Sequence, residues 1–260
     1  MRNLFFELKS GIIAFYSFIS EKRATTFAGG LAYFFFAGLV PFVGILTLST
    51  NFFGIDDKLV KDLFQSELLS VYFEKLRLEG VSRTGTWIMV LTGAYSATNF
   101  YFHLIRTGEC IYGKKRGKGV WKRVLSFIYL FAVQILMICV LAVELAGRKI
   151  LGFFGFSAVV VEIMQFAVSV AFNITLSLIL HIFAAPSGNK NLKKVGAGVL
   201  LTFIYWELCN LFFNIYRSIK PENEFGFTLI AVFLLYLYFI MRGLTYGMAR
   251  NSFNDNESLS

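Results

Sequence analysis

Apolar residues along this chain fall into six long, nearly unbroken runs, at roughly 27–48, 87–105, 124–145, 163–185, 195–215 and 225–247. Each is long enough to cross a hydrocarbon core, which takes about 20 helical residues. A segment inside lipid must satisfy its own backbone hydrogen bonds, so each run predicts a helix rather than an open strand. Pro41 falls inside the first run; it removes one backbone donor and predicts a kink there. Before that run, Leu4, Phe5, Leu8, Ile12, Tyr16 and Phe18 alternate with polar positions that include Glu7 and Lys9. That pattern predicts an interfacial helix lying along a membrane within residues 1–26, not a cleaved leader, since no clean apolar core and no small-residue cleavage site follow.

The connection at about 49–86 differs from the others. Leu59, Leu63, Leu68, Leu69, Tyr72, Phe73 and Leu76 recur among charges at near-helical spacing, which predicts one or two short amphipathic helices. The predicted fold is all-α: a polytopic integral membrane protein with six transmembrane helices over 27–247 and a polar tail over 248–260. The tail is expected to be disordered beyond Asn251.

Composition turns that pattern into a location. Hydrophobic residues make up 57% of the 260 positions and charged residues only 16%, against about 25% charged in soluble domains. The net charge of +9 admits nucleic acid or anionic lipid as a partner, and the placement of the charges decides between them. The stretch KKRGKGVWKR, Lys114 to Arg123, lies between the second and third runs. Further bases sit before the first run (Arg2, Lys9, Lys22, Arg23), after the fourth (Lys190, Lys193, Lys194) and after the sixth (Arg250). The third and fifth connections hold two each, and the long first connection mixes its five with the acids Asp56, Asp57, Asp62, Glu67, Glu74 and Glu79. Alternate loops are therefore basic, which puts both termini and loops two and four in the cytoplasm. The expected partners are the bilayer itself and anionic lipids at the cytoplasmic basic loop. Nucleic acid is not expected, protein partners are unspecified, and homo-oligomerisation stays open.

Polar residues inside the runs are the candidate chemistry, because lipid penalises them. Gln165, Ser169, Asn173, Ser177 and His181 recur every four residues in the fourth run. Thr92, Ser96, Asn99, His103 and Arg106 form a stripe on the second, and Glu207, Asn210 and Asn214 share a face of the fifth. Three stripes predict a polar interior lined by Glu207, Asn210, Asn214, Asn173, Ser177, His181, Asn99 and His103. The competing reading is that Ser, Thr and Asn simply bond helix to helix. Gly243 and Gly247, and Gly93 with Ala97, read as packing seams. Arg242 reads as a side chain snorkelling toward the cytoplasmic face. The two histidines supply too few ligands for a metal, and no cofactor is expected.

Ala28-Gly29-Gly30-Leu31-Ala32-Tyr33-Phe34 followed by Val40-Pro41 resembles the opening of the YihY/BrkB family of bacterial inner-membrane proteins, once labelled ribonuclease BN. Ile111-Tyr112-Gly113, Pro186, Trp206-Glu207, Phe225-Gly226, Leu235-Tyr236-Leu237-Tyr238 and Gly247 to Asn251 continue the likeness over about residues 5–251. The resemblance implies a six-helix protein of the bacterial plasma (inner) membrane, often regarded as a transporter, with no catalytic signature. A ribonuclease would need clustered His and Asp ligands, whereas the two histidines are 78 residues apart and no run contains Asp. The expectation is a non-enzymatic permease for a small solute, ion or lipid. The alternative is a non-transporting scaffold that binds lipids or partner proteins.

Overall fold

The computed structural model describes residues 2–53, 83–115, 117–133, 136, 157–186, 192–219 and 227–257. Seven helices lie among them: α1 (Arg2–Glu21), α2 (Ala24–Phe53), α3 (Arg83–Tyr112), α4 (119–133), α5 (Ala158–Ala184), α6 (Leu192–Ile219) and α7 (Phe227–Glu257). Three of them contain stretches long and apolar enough to cross a membrane: Val159–Ala184, Val195–Tyr216 and Ala231–Asn254. Their surfaces are those of a lipid-solvated protein. On α6 the exposed side chains include Leu200, Ile204, Leu208, Leu211 and Ile215, an outward apolar stripe at helical spacing, the reverse of a water-soluble helix. The chain is a helical membrane protein.

Two expected boundaries move. α2 runs on through Pro41 to Phe53 and α3 begins at Arg83, so both ends of the 49–86 connection are helical and its centre lies outside the described residues. Most of the third run beyond residue 133 lies outside them too.

α1 and α2 meet at a tight corner. Lys22 N–H bonds Phe18 O at 2.9 Å and Arg23 N–H bonds Ser20 O at 3.0 Å, closing α1 before the chain turns. Arg23 takes φ 51° to do so, a left-handed conformation that costs an L-residue roughly 1–2 kcal/mol and that glycine adopts freely. Arg23→Gly is therefore expected to raise the stability of the purified protein by about 1 kcal/mol, and Arg23→Val to lower it. Thermal unfolding in detergent measures both.

α7 is the hub: it packs chiefly on α6 and α2, and also on α3, α1 and α5, while α2 and α3 share the most extensive contact. Small residues permit these approaches, because lipid supplies no hydrophobic drive between helices and close backbone packing must. A Cβ added to Gly38 of α2 would lie 3.2 Å from Ala97 Cα of α3. At Gly108 of α3 it would lie 2.1 Å from Ala184 O of α5, and at Gly198 of α6 it would lie 2.2 Å from Gly247 O of α7. Gly243 and Gly247 are a packing seam, as their spacing predicts.

The expected disorder after Asn251 does not hold. α7 stays helical to Glu257, with Asn251 and Ser252 only 3% and 2% exposed. Partners explain it. Gly198 N–H donates to Asn251 Oδ1 at 2.7 Å, and Ser252 Oγ donates to Ile111 O at 3.1 Å. The Phe253 ring meets Phe15 and Phe18 of α1 edge-on at 6.0 and 5.5 Å. Polarity at Asn251 and Ser252 serves contacts, not solvation.

Candidate functional site

The polar stripes resolve into three clusters. The first ties α5, α6 and α7 together at the end of the bundle where the basic residues gather. Thr202 Oγ1 donates to Gly243 O at 3.1 Å, and a carbonyl can only accept. Thr202 must then receive the hydrogen bond it shares with His181 Nε2 at 2.9 Å. At the far side, Asn251 Oδ1 is fixed as an acceptor by Gly198 N–H, so Asn251 Nδ2 faces His181 Nδ1 at 3.3 Å as a donor. Both ring nitrogens of the fully buried His181 are thereby assigned: Nδ1 accepts and Nε2 carries the one proton. A second proton would set donor against donor. Ser177, one turn earlier, reaches Val199 O at 3.5 Å. His181 and Ser177 therefore bond helix to helix.

The second cluster lies deeper. Glu207 sits midway along the apolar part of α6, about 18 Å from Val195 and about 14 Å from Tyr216 by helical rise. Asn173 Nδ2 of α5 donates to Glu207 Oε1 at 2.9 Å. Glu207 is half-buried, and among the described residues Oε2 takes no hydrogen bond. One turn further, Tyr236 OH of α7 donates to Asn210 Oδ1 at 2.5 Å, and Trp206 Nε1 donates to Ile240 O at 2.8 Å. Asn214 follows on the same face and is exposed. The fourth- and fifth-run stripes thus meet through Asn173 and Glu207.

The third cluster, on α3 and α4, stands apart. Arg123 Nη1 donates to Asn99 Oδ1 at 2.6 Å, and Lys122 Nζ pairs with Glu109 Oε2 at 2.6 Å. The side chains of that pair are only 13% and 10% exposed. Two bases read from the sequence as loop anchors are therefore folded back onto α3. Lys114, Lys115 and Lys118 remain exposed, and Arg116 lies outside the described residues. His103 stacks on Phe34 of α2 with ring centroids 3.8 Å apart, so the two histidines serve different helix junctions. Arg242, half-buried on α7, leans toward the basic end and donates from Nε to Tyr246 OH at 2.6 Å.

Four partners escaped the sequence reading. Glu109 was not singled out. Thr202 is one hydroxyl in an apolar run, Asn251 falls in the stretch expected to be tail, and Tyr236 enters only through the resemblance. Polarity within a run is the available signal; at Thr202 it recurs with no period, and Glu109 lies beyond the end of the second run.

Against known proteins, the family model described as virulence factor BrkB matches residues 15–259. The chain belongs to the virulence factor BrkB family. No curated protein and no solved structure matches it. The match covers almost everything described above, from Phe15 on α1 through the Asn173–Glu207 pair to the end of α7. Features behind the resemblance occupy structural positions in this BrkB-family chain. Ala28, Leu31 and Ala32 are buried on α2, Gly113 ends α3 with φ 68°, and Pro186 is buried just past α5. Phe225 and Gly226 lie outside the described residues.

Proposed function

We propose that this BrkB-family protein is a plasma-membrane permease with six spanning helices and cytoplasmic termini. In this reading a small polar solute, ion or lipid headgroup passes beside the α5–α6–α7 junction. The observation that carries the proposal is Glu207, a carboxylate midway along an apolar helix, held on one oxygen by Asn173 and otherwise half-exposed. Lipid charges heavily for such a group, and sequences retain intramembrane acids where water or a polar substrate reaches them. Asn210, Tyr236 and Asn214 extend the polar face along α6. His103 and Asn99 belong to the α3–α4 cluster and are not assigned to this path.

The test is accessibility. In a variant without native cysteines, Glu207→Cys is expected to react with a charged, water-soluble thiol reagent. Leu208→Cys and Leu211→Cys, on the exposed apolar stripe, are expected to stay unlabelled. In proteoliposomes, Glu207→Gln is expected to abolish dissipation of an imposed ion gradient or translocation of a fluorescent phospholipid, whichever the unaltered protein supports. A silent Glu207→Cys would leave the polar face dry and favour the scaffold reading.

A further inference from the structure

Arg106 and Arg123 approach the same ring. The Arg123 guanidinium carbon lies 4.3 Å from the Phe102 centroid and that of Arg106 lies 5.8 Å from it. Arg123 is also 5.2 Å from the Tyr95 centroid and bonds Asn99 Oδ1. Asn99, Phe102, His103 and Arg106 share one face of α3 by their three- and four-residue spacing. Two guanidinium groups are therefore gathered around one ring, with an amide and aromatic faces, all neutral, as their neighbours. Among the described residues neither arginine is ion-paired. Like charges crowded at a partly dry surface repel, and an anion between them reverses the sign of that energy. Arginine's planar fork suits phosphate in particular.

The surroundings identify the phosphate's carrier. The cluster sits where α3 leaves its apolar stretch, beside the exposed aromatics Trp121 (57% exposed) and Tyr33 (65%); such rings settle at the membrane–water boundary. From the same level, Val120, Val124, Phe127, Ile128 and Phe131 run down the outer side of α4 as an exposed apolar stripe. A cationic fork at the head of an apolar track matches an amphiphile with a phosphate at one end.

We propose that Asn99, His103, Arg106 and Arg123 form a headgroup site for an anionic glycerophospholipid, with the phosphate between the two guanidinium groups and an acyl chain along α4. The site is separate from the Glu207 face and does not depend on the permease reading. The exposed loop lysines attract anionic lipid diffusely, whereas this site retains one molecule.

The test uses the full-length protein in neutral detergent, with native mass spectrometry counting retained lipid during titration with phosphatidylglycerol, phosphatidylcholine or inorganic phosphate. One phosphatidylglycerol is expected to bind about tenfold or more tightly than phosphatidylcholine, because both carry the phosphate but the choline ammonium cancels its charge and is repelled by the two arginines. Arg106→Gln and Arg123→Gln are each expected to weaken it by about tenfold, and the double variant to remove the preference. Lys115→Gln/Lys118→Gln is expected to keep it. Arg106 is exposed, so Arg106→Gln reads binding without a folding change, checked by its elution volume. An undiminished preference in the double arginine variant overturns the proposal, as does a loss in the lysine variant equal to that in the arginine variants. Displacement of phosphatidylglycerol by inorganic phosphate at equal concentration would make this a soluble-anion site and overturn the lipid assignment.

Discussion

Gly247→Leu is expected to leave little folded protein, because the space above that glycine is already filled on three sides. A single added Cβ would come within 2.1 Å of Thr202 Oγ1, 2.5 Å of Gly198 O and 2.8 Å of His181 Cε1. Two of these neighbours cannot move alone. Thr202 is bonded to both Gly243 O and His181, and Gly198 holds Asn251 through its N–H. Relief requires α6 and α7 to separate, which breaks the cluster and costs about 1–3 kcal/mol or more from overpacking alone. Even Gly247→Ala is expected to lower the unfolding temperature markedly. Gly196→Ala is the control: nothing lies within 4 Å of its added methyl, and alanine improves helix propensity by up to about 1 kcal/mol. Thermal denaturation of the purified variants compares the two directly.

Glu109→Leu is expected to be the most damaging single change on the α3–α4 side. Its carboxylate meets Lys122 Nζ at 2.6 Å, and neither side chain is more than 13% exposed. Removing one partner of such a pair strands a charge in a poorly solvated site, at about 3–5 kcal/mol. Removing both is different: Glu109→Leu/Lys122→Met takes away the stranded ammonium and is expected to recover most of the loss. A double-mutant cycle in detergent therefore predicts a large positive coupling. A shielded pair is also weakly screened, so the coupling should persist at high salt. If Glu109→Leu unfolds no more easily than the double variant, Lys122 reaches water by itself.

The sequence made the helices readable because apolar run length is set by the solvent, and lipid leaves helix as the available single-segment form. It also made readable that Asn173 and Glu207 lie on polar stripes. What it could not give was which stripe faces which. In lipid that choice rests on where backbones can approach, at Gly38–Ala97, Gly108–Ala184 and Gly198–Gly247, and such seams exist only between partners. The same gap explains Asn251 and Arg123. Each looks solvated on its own segment, and each becomes a bonding group once α6 or α3 is brought alongside. Asn99 and His103 join α4 and α2 instead of the Glu207 face for the same reason: a stripe fixes a direction on its own helix, not the neighbour it meets.

The fixed direction of the His181 chain carries an electrical consequence. Passing a proton along a row of bonded groups requires every link to reverse after each transfer. Here the row begins at a backbone amide, Gly198, and ends at a backbone carbonyl, Gly243, and neither can change roles. The junction is a dead end for proton hopping, so this end of the α6–α7 contact acts as insulation.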